Sequence, residues 1–343
     1  MRLTPLALVL ALGLGLTGCG AHVADDAADD GARGGKPSGH YPVTVENCGT
    51  KVTYDKAPGR VVTNDVGNTE IMFALGLEDH MAGFVMPDDK GDLDAVPWKD
   101  GYRTVPWLSK KEITKELVLD AEADLVFAGW NYGFSEATGV TPAALKKLGV
   151  GSHVLTESCR NGQGAARGVM PPLEALYTDL TTLGKIFDVE DRAAALVRDF
   201  KKQVADARAK TPKSGHRPTV FLYDDGRDRP FTSGRYAGPH DIITKAGGDH
   251  VMKDLDDSWT TVGWETVVER DPEVIVINDY GDTSAARKRE FLLSYGPLRN
   301  VSAVKHRRIY IMDYADLVES PRNPAAIAAL AAYLRGIGGP RPE

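Results

Sequence analysis

A chain of 343 residues is long enough for two ordinary domains, and its 42% hydrophobic and 26% charged content describes a water-soluble globular protein. The formal net charge of −7, with Lys and Arg scattered rather than clustered, argues against a nucleic-acid partner. Eight His and three Cys are too few and too dispersed for a Cys/His metal framework.

Taken in chain order, residues 1–18 read as an export signal. Arg2 supplies the positive start, and an eleven-residue apolar core, residues 6–16, is too short to span a bilayer, which needs about 20 residues. The core ends in Leu16-Thr17-Gly18-Cys19, which resembles the bacterial lipoprotein cleavage box and implies a lipidated Cys19 at the mature N-terminus. Residues 19–41, rich in Ala, Asp and Gly, read as a lipid-anchored flexible tether. With Cys19 assigned to the lipid, Cys48 and Cys159 remain. An even remainder in an exported chain suggests one disulfide, worth about 4–5 kcal/mol in the chain-entropy model, the alternative being two free thiols.

Residues 42–188 form the first α/β lobe in this reading. A hairpin over 43–53 leads in, followed by a strand at 60–63, a helix at 68–75 ended by Gly76, and a strand at 81–85. A polar loop fills 87–106. Then come a helix at 113–121, a buried strand at 125–128, a helix at 142–148, a strand at 153–156, a Gly-rich loop at 158–170 and a helix at 172–187.

Residues 190–210 contain no Gly or Pro and carry Ala193, Leu196, Val197, Phe200, Val204 and Ala207 as one apolar stripe, within a connecting segment 189–211. Asp188 suits the N-cap, and Thr211-Pro212 the stop. At ~1.5 Å per residue this rod is roughly 31 Å long. It serves either as a spacer between two bodies or as an ordinary core helix.

The same grammar returns in residues 212–343: strands at 219–223, 251–252, 274–277 and 309–312, and helices at 239–246, 265–270, 284–293 and 324–334. Residues 69–81 (TEIMFALGLEDHM) lie over 240–252 (HDIITKAGGDHVM), with Ile71 over Ile242 and Gly76 over Gly247. Glu116 precedes the run DLVF by eight residues, and Glu265 precedes EVIV by the same interval. The fold expected is therefore α/β, with two similar lobes of mostly parallel sheet joined by one long helix and a ligand cleft between them.

No GxSxG, HExxH or P-loop occurs, so no catalytic residues are assigned. A three-His metal site drawn from His80, His153, His240 and His250 is a minor alternative. Aromatic and arginine residues instead crowd the loops. Trp107, Trp130, Tyr132 and Phe134 lie in the first half with Arg160 and Arg167. Phe231, Tyr236 and Trp259 lie in the second with Arg227, Arg229, Arg235 and Arg322. Aromatics give broad flat contact and arginines pair with anionic oxygen, so this set suits a bulky anionic or chelated ligand.

The run Phe231-Thr232-Ser233-Gly234 after a strand, Trp259 six residues before Glu265, and EADLVFAGW together resemble the periplasmic-binding proteins for ferric siderophores and cobalamin. That family comprises the helical-backbone receptors of ABC importers, and the resemblance runs from Arg60 to about Leu334. It implies cleft roles for Phe231, Trp259 and Arg322, and docking of Glu116 and Glu265 into arginine pockets of the permease. Trp130 stands one residue out of register with a family cleft tryptophan. A second such tryptophan is replaced by Lys110, with Trp107 three residues upstream, which argues against copying cobalamin as the ligand.

The expected function is a lipid-anchored extracytoplasmic receptor delivering a metal chelate, a ferric siderophore first, to an ABC permease dimer with its ATPase. No reaction and no cofactor beyond the ligand are expected, the membrane is met only through the lipid anchor, and the chain is read as a monomer. The ligand set is Trp107, Trp130, Tyr132, Arg160, Phe231, Arg235, Tyr236, Trp259 and Arg322. The rivals are a receptor for a corrinoid, haem or another large anionic cofactor, an exported lipoprotein hydrolase, and a receptor for a bare transition metal.

Overall fold

Continuous apolar runs set the two sheets of the computed structural model, which describes residues 39–86, 91–162, 164–210 and 216–338. The signal segment, Cys19, all but the last residues of the tether, and Thr211-Pro212 lie outside the described residues.

The chain opens with an antiparallel hairpin, β1 (Val43–Asn47) and β2 (Thr50–Tyr54). Its turn residues Cys48 and Gly49 both have positive φ, 47° and 75°, which matches the twist of a two-residue hairpin. Cys48 is disulfide-bonded to Cys159, 111 residues on, and the Asn47 side chain exchanges two hydrogen bonds with the backbone of Val154. The hairpin is thereby fastened to the first lobe.

That lobe follows as β3 (Val61–Asn64), α1 (Val66–Ala74), β4 (Met81–Val85), α2 (Gly101–Thr104), β5 (Trp107–Ser109), α3 (Lys115–Asp120), β6 (Leu125–Trp130), β7 (Gly133–Phe134), α4 (Pro142–Lys147), β8 (Gly151–Val154) and α5 (Pro172–Ile186). Its strands are parallel in the order β5-β4-β3-β6, with both β7 and β8 on β6. All four residues of β3 and the first five of β6 are buried, as expected of parallel strands covered on both faces. Thr114 and Thr141 cap α3 and α4 by accepting from the N–H groups of Leu117 and Ala144, 3.2 Å in each case.

The long helix α6 (Glu190–Ala209) buries Ala193, Phe200, Val204 and Ala207 and spans ~30 Å. Asp188 is not its N-cap. Val189 holds that position, and Asp188 takes a φ of 59° in the turn from α5, directing its carboxylate to His40 instead.

Beyond it lie β9 (Thr219–Tyr223), β10 (Phe231–Ser233), α7 (Gly238–Lys245), β11 (Asp249–His250), β12 (Trp259–Thr261), α8 (Trp264–Arg270), β13 (Val274–Asp279), α9 (Ala285–Ser294), α10 (Ser302–Lys305), β14 (Ile309–Asp313), α11 (Tyr314–Leu317) and α12 (Asn323–Gly338). The main sheet is parallel, β11-β9-β13-β14, and β10 pairs with β12 as a separate antiparallel ribbon. The short strand expected at 251–252 sits two residues earlier: Asp249 and His250 pair with Thr219 and Val220, while Val251 and Met252 already turn away. The polar stretch expected as a loop before Pro106 contains the short helix α2.

One apolar core runs through both lobes. It joins Phe73, Phe84 and Phe127 of the first, Phe200 and Val204 of α6, and Leu222, Val276 and Leu330 of the second. The repeat seen in the sequence has a structural counterpart at the starts of α1 and α7. A Cβ on Gly67 would meet the carbonyl oxygen of Glu319 at 2.2 Å, and one on Gly238 would meet that of Leu317 at 2.3 Å. Both helices therefore press their first turn onto the same segment of the second lobe, at positions where a side chain has no room.

Candidate functional site

In an open parallel sheet, ligands bind beyond the carboxyl ends of the strands, where neighbouring connections leave in opposite directions. In the first lobe that point lies between β3 and β6, since β4 is on one side of β3 and β6 on the other. In the second it lies between β9 and β13 by the same rule. The residues at these strand ends meet. Asn64 at the end of β3 and Asp65 after it, Asn131 and Tyr132 after β6, Asp224 after β9 and Tyr280 after β13 line two adjoining cavities of about 540 and 260 Å³. Both share Asn131, Tyr132 and Tyr280, so they are parts of one cleft. The larger part falls within the range of small-molecule sites, and the smaller extends it.

The smaller part is lined by Tyr132, Arg167, Asp224, Phe231, Trp259, Tyr280 and Tyr314. The ribbon of β10 and β12 places Phe231 and Trp259 in a stack 6.0 Å apart, and Tyr280 stacks on Tyr314 at 4.1 Å. Lys288, almost fully buried, fixes the end of β13 by donating to the carbonyls of Asn278 and Tyr280 at 2.8 and 2.7 Å. The Tyr132 hydroxyl is buried without a hydrogen-bond partner, and burial holds its pKa well above the ordinary value. Burial also pushes the Asp224 carboxyl up to about 6, against the opposing influence of Lys288. The wider part carries Lys110, Lys111 and Glu112.

Polar bridges join the lobes at the walls of this cleft and beside it. The Tyr314 hydroxyl donates to Asp65 Oδ2 at 2.5 Å. Arg167 donates through one guanidinium nitrogen to the Trp130 carbonyl at 3.1 Å and through the other to that of Trp259 at 3.0 Å. Ser258 Oγ donates to Glu157 Oε1 at 2.6 Å, and the Glu157 N–H to Glu319 Oε2 at 3.0 Å. Burial raises the Glu157 carboxyl to about 7 and that of Glu319 well above its usual range, Asp179 and Glu157 adding to the latter.

Of the residues singled out in the sequence, the structure brings Tyr132, Phe231 and Trp259 together in this cleft. Trp107 donates its Nε1–H to the Met86 carbonyl at 3.1 Å, and the Lys110 ammonium lies 4.7 Å from its ring centre; Lys110, just after β5, lines the cleft in place of Trp107. Trp130 is covered by the Arg160 guanidinium at 3.6 Å, and Arg160 is paired with Glu136 at 2.7 Å. Arg235 pairs with Asp256 and lies over Tyr236, and both line a separate cavity beside α7. Arg322 is 5% exposed and forms a two-point ion pair with Glu70 at 2.5 and 2.8 Å, which Tyr102 joins. It borders another cavity, against α6. Those arginines are thus engaged by carboxylates, and Arg167 is the guanidinium that reaches the aromatic part of the cleft. The sequence reading passed over Asp65, Asp224, Tyr280 and Tyr314. Each directly follows a strand, and that position was the available signal.

Glu116 and Glu265 are both exposed and both stand in the first turn of a helix, α3 and α8, that feeds a central strand. A hydrogen bond from its own backbone N–H and one from Thr114 lower the Glu116 carboxyl below its usual value. The four histidines of the alternative metal site do not form one group: two hold separate partners and two pair with each other. His80 bonds to the Pro58 carbonyl, His153 to Asp179, and His240 to His250.

The sequence profile of the family described as periplasmic binding protein matches residues 61–315. The petrobactin-binding protein YclQ of Bacillus subtilis (strain 168) is 25% identical over 277 residues, covering 79% of each chain. An uncharacterized ABC transporter substrate-binding lipoprotein of the same organism, YvrC, is 25% identical over 322 residues, 92% of this chain and 91% of its own. A crystal structure of a periplasmic binding protein from Veillonella parvula superposes with a TM-score of 0.72 at 26% identity, covering 87% of this chain and 98% of that one. Two lobes of parallel sheet, their strand ends opening on one shared cleft, and a family match over most of the fold lead to one conclusion: the chain belongs to the periplasmic binding protein family.

Proposed function

We propose that this protein is an extracytoplasmic receptor, anchored through a lipidated Cys19, that captures a ferric siderophore and passes it to an ABC importer without catalysing a reaction. The observation that carries this reading is the convergence of both lobes' strand ends on one aromatic cleft. A duplicated fold with its two switch points face to face encloses a ligand between bodies, whereas an enzyme of comparable size needs a nucleophile and base assembled there. Phe231, Trp259, Tyr280 and Tyr314 offer broad flat contact, with the Tyr132 hydroxyl and Arg167 as donors toward chelate oxygens. The relative YclQ, named for petrobactin binding, supports a siderophore, and the name of YvrC supports a lipoprotein serving an ABC transporter. Among the described residues no helix is long and apolar enough to cross a membrane.

Glu116 and Glu265, one per lobe, are proposed as the two points read by the permease dimer. Exposed ion pairs contribute only ~0–1 kcal/mol each, so docking is weak and sensitive to salt. In cells whose chromosomal copy is deleted, Glu116→Ala combined with Glu265→Ala should abolish uptake of the radiolabelled ferric chelate while the purified variant binds it as tightly as the parent. Uptake at parental rate, or binding lost together with uptake, would overturn the docking assignment.

A further inference from the structure

We propose that His40, Asp188 and Glu190 form a site for one divalent transition-metal ion of the zinc class at the corner between α5 and α6, outside the ligand cleft. Among the described residues this is the group of His, Cys, Asp and Glu whose donor atoms come within 4.8 Å of one another. His40 and Tyr41 enter the fold just ahead of β1 and are pinned to the end of α5. His40 Nε2 lies 2.7 Å from the Lys185 carbonyl oxygen, and the Tyr41 hydroxyl donates to the Ile186 carbonyl at 2.7 Å.

A carbonyl only accepts, so Nε2 carries the proton and the other ring nitrogen is the one that faces the carboxylates. Nδ1 lies 3.3 Å from Asp188 Oδ1 and 3.7 Å from Glu190 Oε1. With Nε2 donating to the carbonyl, Nδ1 turns its lone pair toward the two carboxylates, so one imidazole nitrogen and two carboxylate oxygens form a set of three metal-ligating donors.

A charge-assisted N–H···O contact closes to about 2.7–2.9 Å, shorter than either separation. Ligands on a tetrahedral ion with bonds of about 2.0–2.1 Å stand about 3.3–3.4 Å apart, which the 3.3 Å separation to Asp188 matches, while the 3.7 Å separation to Glu190 needs a small inward movement of that exposed side chain. The hydrogen bond from the distal ring nitrogen to a backbone carbonyl is the arrangement that orients metal-ligating histidines. One imidazole and two carboxylates suit Zn²⁺, Co²⁺ or Ni²⁺, whereas Ca²⁺ and Mg²⁺ take all-oxygen sites. The His40 side chain is 17% exposed and the carboxylates 49% and 45%, which leaves the outer coordination position to water. An ion bound here ties residue 40 to the first turn of the helix that joins the lobes.

The test uses the full chain in detergent, stripped with a chelator and titrated with Co²⁺ as an optical probe. The site predicts one equivalent of Co²⁺ with a visible ligand-field band, displaced by Zn²⁺ and not by Ca²⁺ or Mg²⁺. His40→Ala should abolish the band, and Glu190→Gln, a change at an exposed position that leaves folding intact, should weaken binding by at least about tenfold. Zn²⁺ should also raise the melting temperature of the parent and not of His40→Ala. No saturable band, or a band of equal affinity in both variants, would overturn the proposal.

Discussion

Glu157 shows what burial does to a single side chain in this interface. Its folded-state pKa of about 7, against an ordinary 4.5, means that the folded protein keeps this proton over a range where the unfolded chain has released it. The resulting stability is fully present below about 4.5 and is lost as pH rises toward 7. Asp224 and Asp316, both raised to about 6 chiefly by burial, act in the same direction. Urea unfolding of the apo protein should therefore show lower stability at pH 8 than at pH 5. Glu157→Gln, which can still accept from Ser258, should recover up to roughly 3 kcal/mol of the difference at pH 8 and flatten the profile. An unchanged pH profile in that variant would place the titration elsewhere. Side chains of this kind were invisible in the sequence, because one buried glutamate reads like any other until its neighbours are known. The same holds for the arginines. Arg160, Arg235 and Arg322 sit in loops that suggested ligand contacts, yet Glu136, Asp256 and Glu70 already hold them.

At the scale of elements, the long parallel strands and α6 were legible because their signals are long: β6 and the first four residues of β13 are unbroken apolar runs, and the stripe on α6, from Ala193 to Ala207, recurs over about four turns. The strands β5, β10, β11 and β12 are two or three residues each, too short for periodicity to register, and they exist because a neighbouring strand supplies their hydrogen bonds. Helix α6 matters to function through what it packs against. It lies on α5 of one lobe and α12 of the other, with Phe200 and Val204 in the core common to both. This backing favours a small change in lobe angle over a wide hinge. Phe200→Ala should lower stability by about 3–5 kcal/mol in urea unfolding. A loss below about 1 kcal/mol would mean that α6 is a detachable strap rather than part of the core.

At the scale of the whole molecule, the two-lobed plan followed from the repeat and the connecting helix, and the relation between the lobes did not. The bonds that join them, Asp65 to Tyr314, Glu70 to Arg322, and Glu157 to Ser258, link residues 101 to 252 positions apart, a separation across which sequence alone gives no hint of partnership. These bonds put the strand ends face to face and create the cleft, and this is where the account of function is most exposed to test. Trp259 lies in the cleft, so its fluorescence should report a bound chelate directly. The decisive measurement is a fluorescence titration of the protein with ferric hydroxamates, ferric catecholates, corrinoids and haem, repeated on Trp259→Phe. The account predicts saturable quenching by one ferric siderophore class, with most of the signal lost in Trp259→Phe. Quenching by haem or a corrinoid alone would keep the receptor and replace its ligand, and no response to any of the four would contradict capture of a metal chelate in this cleft.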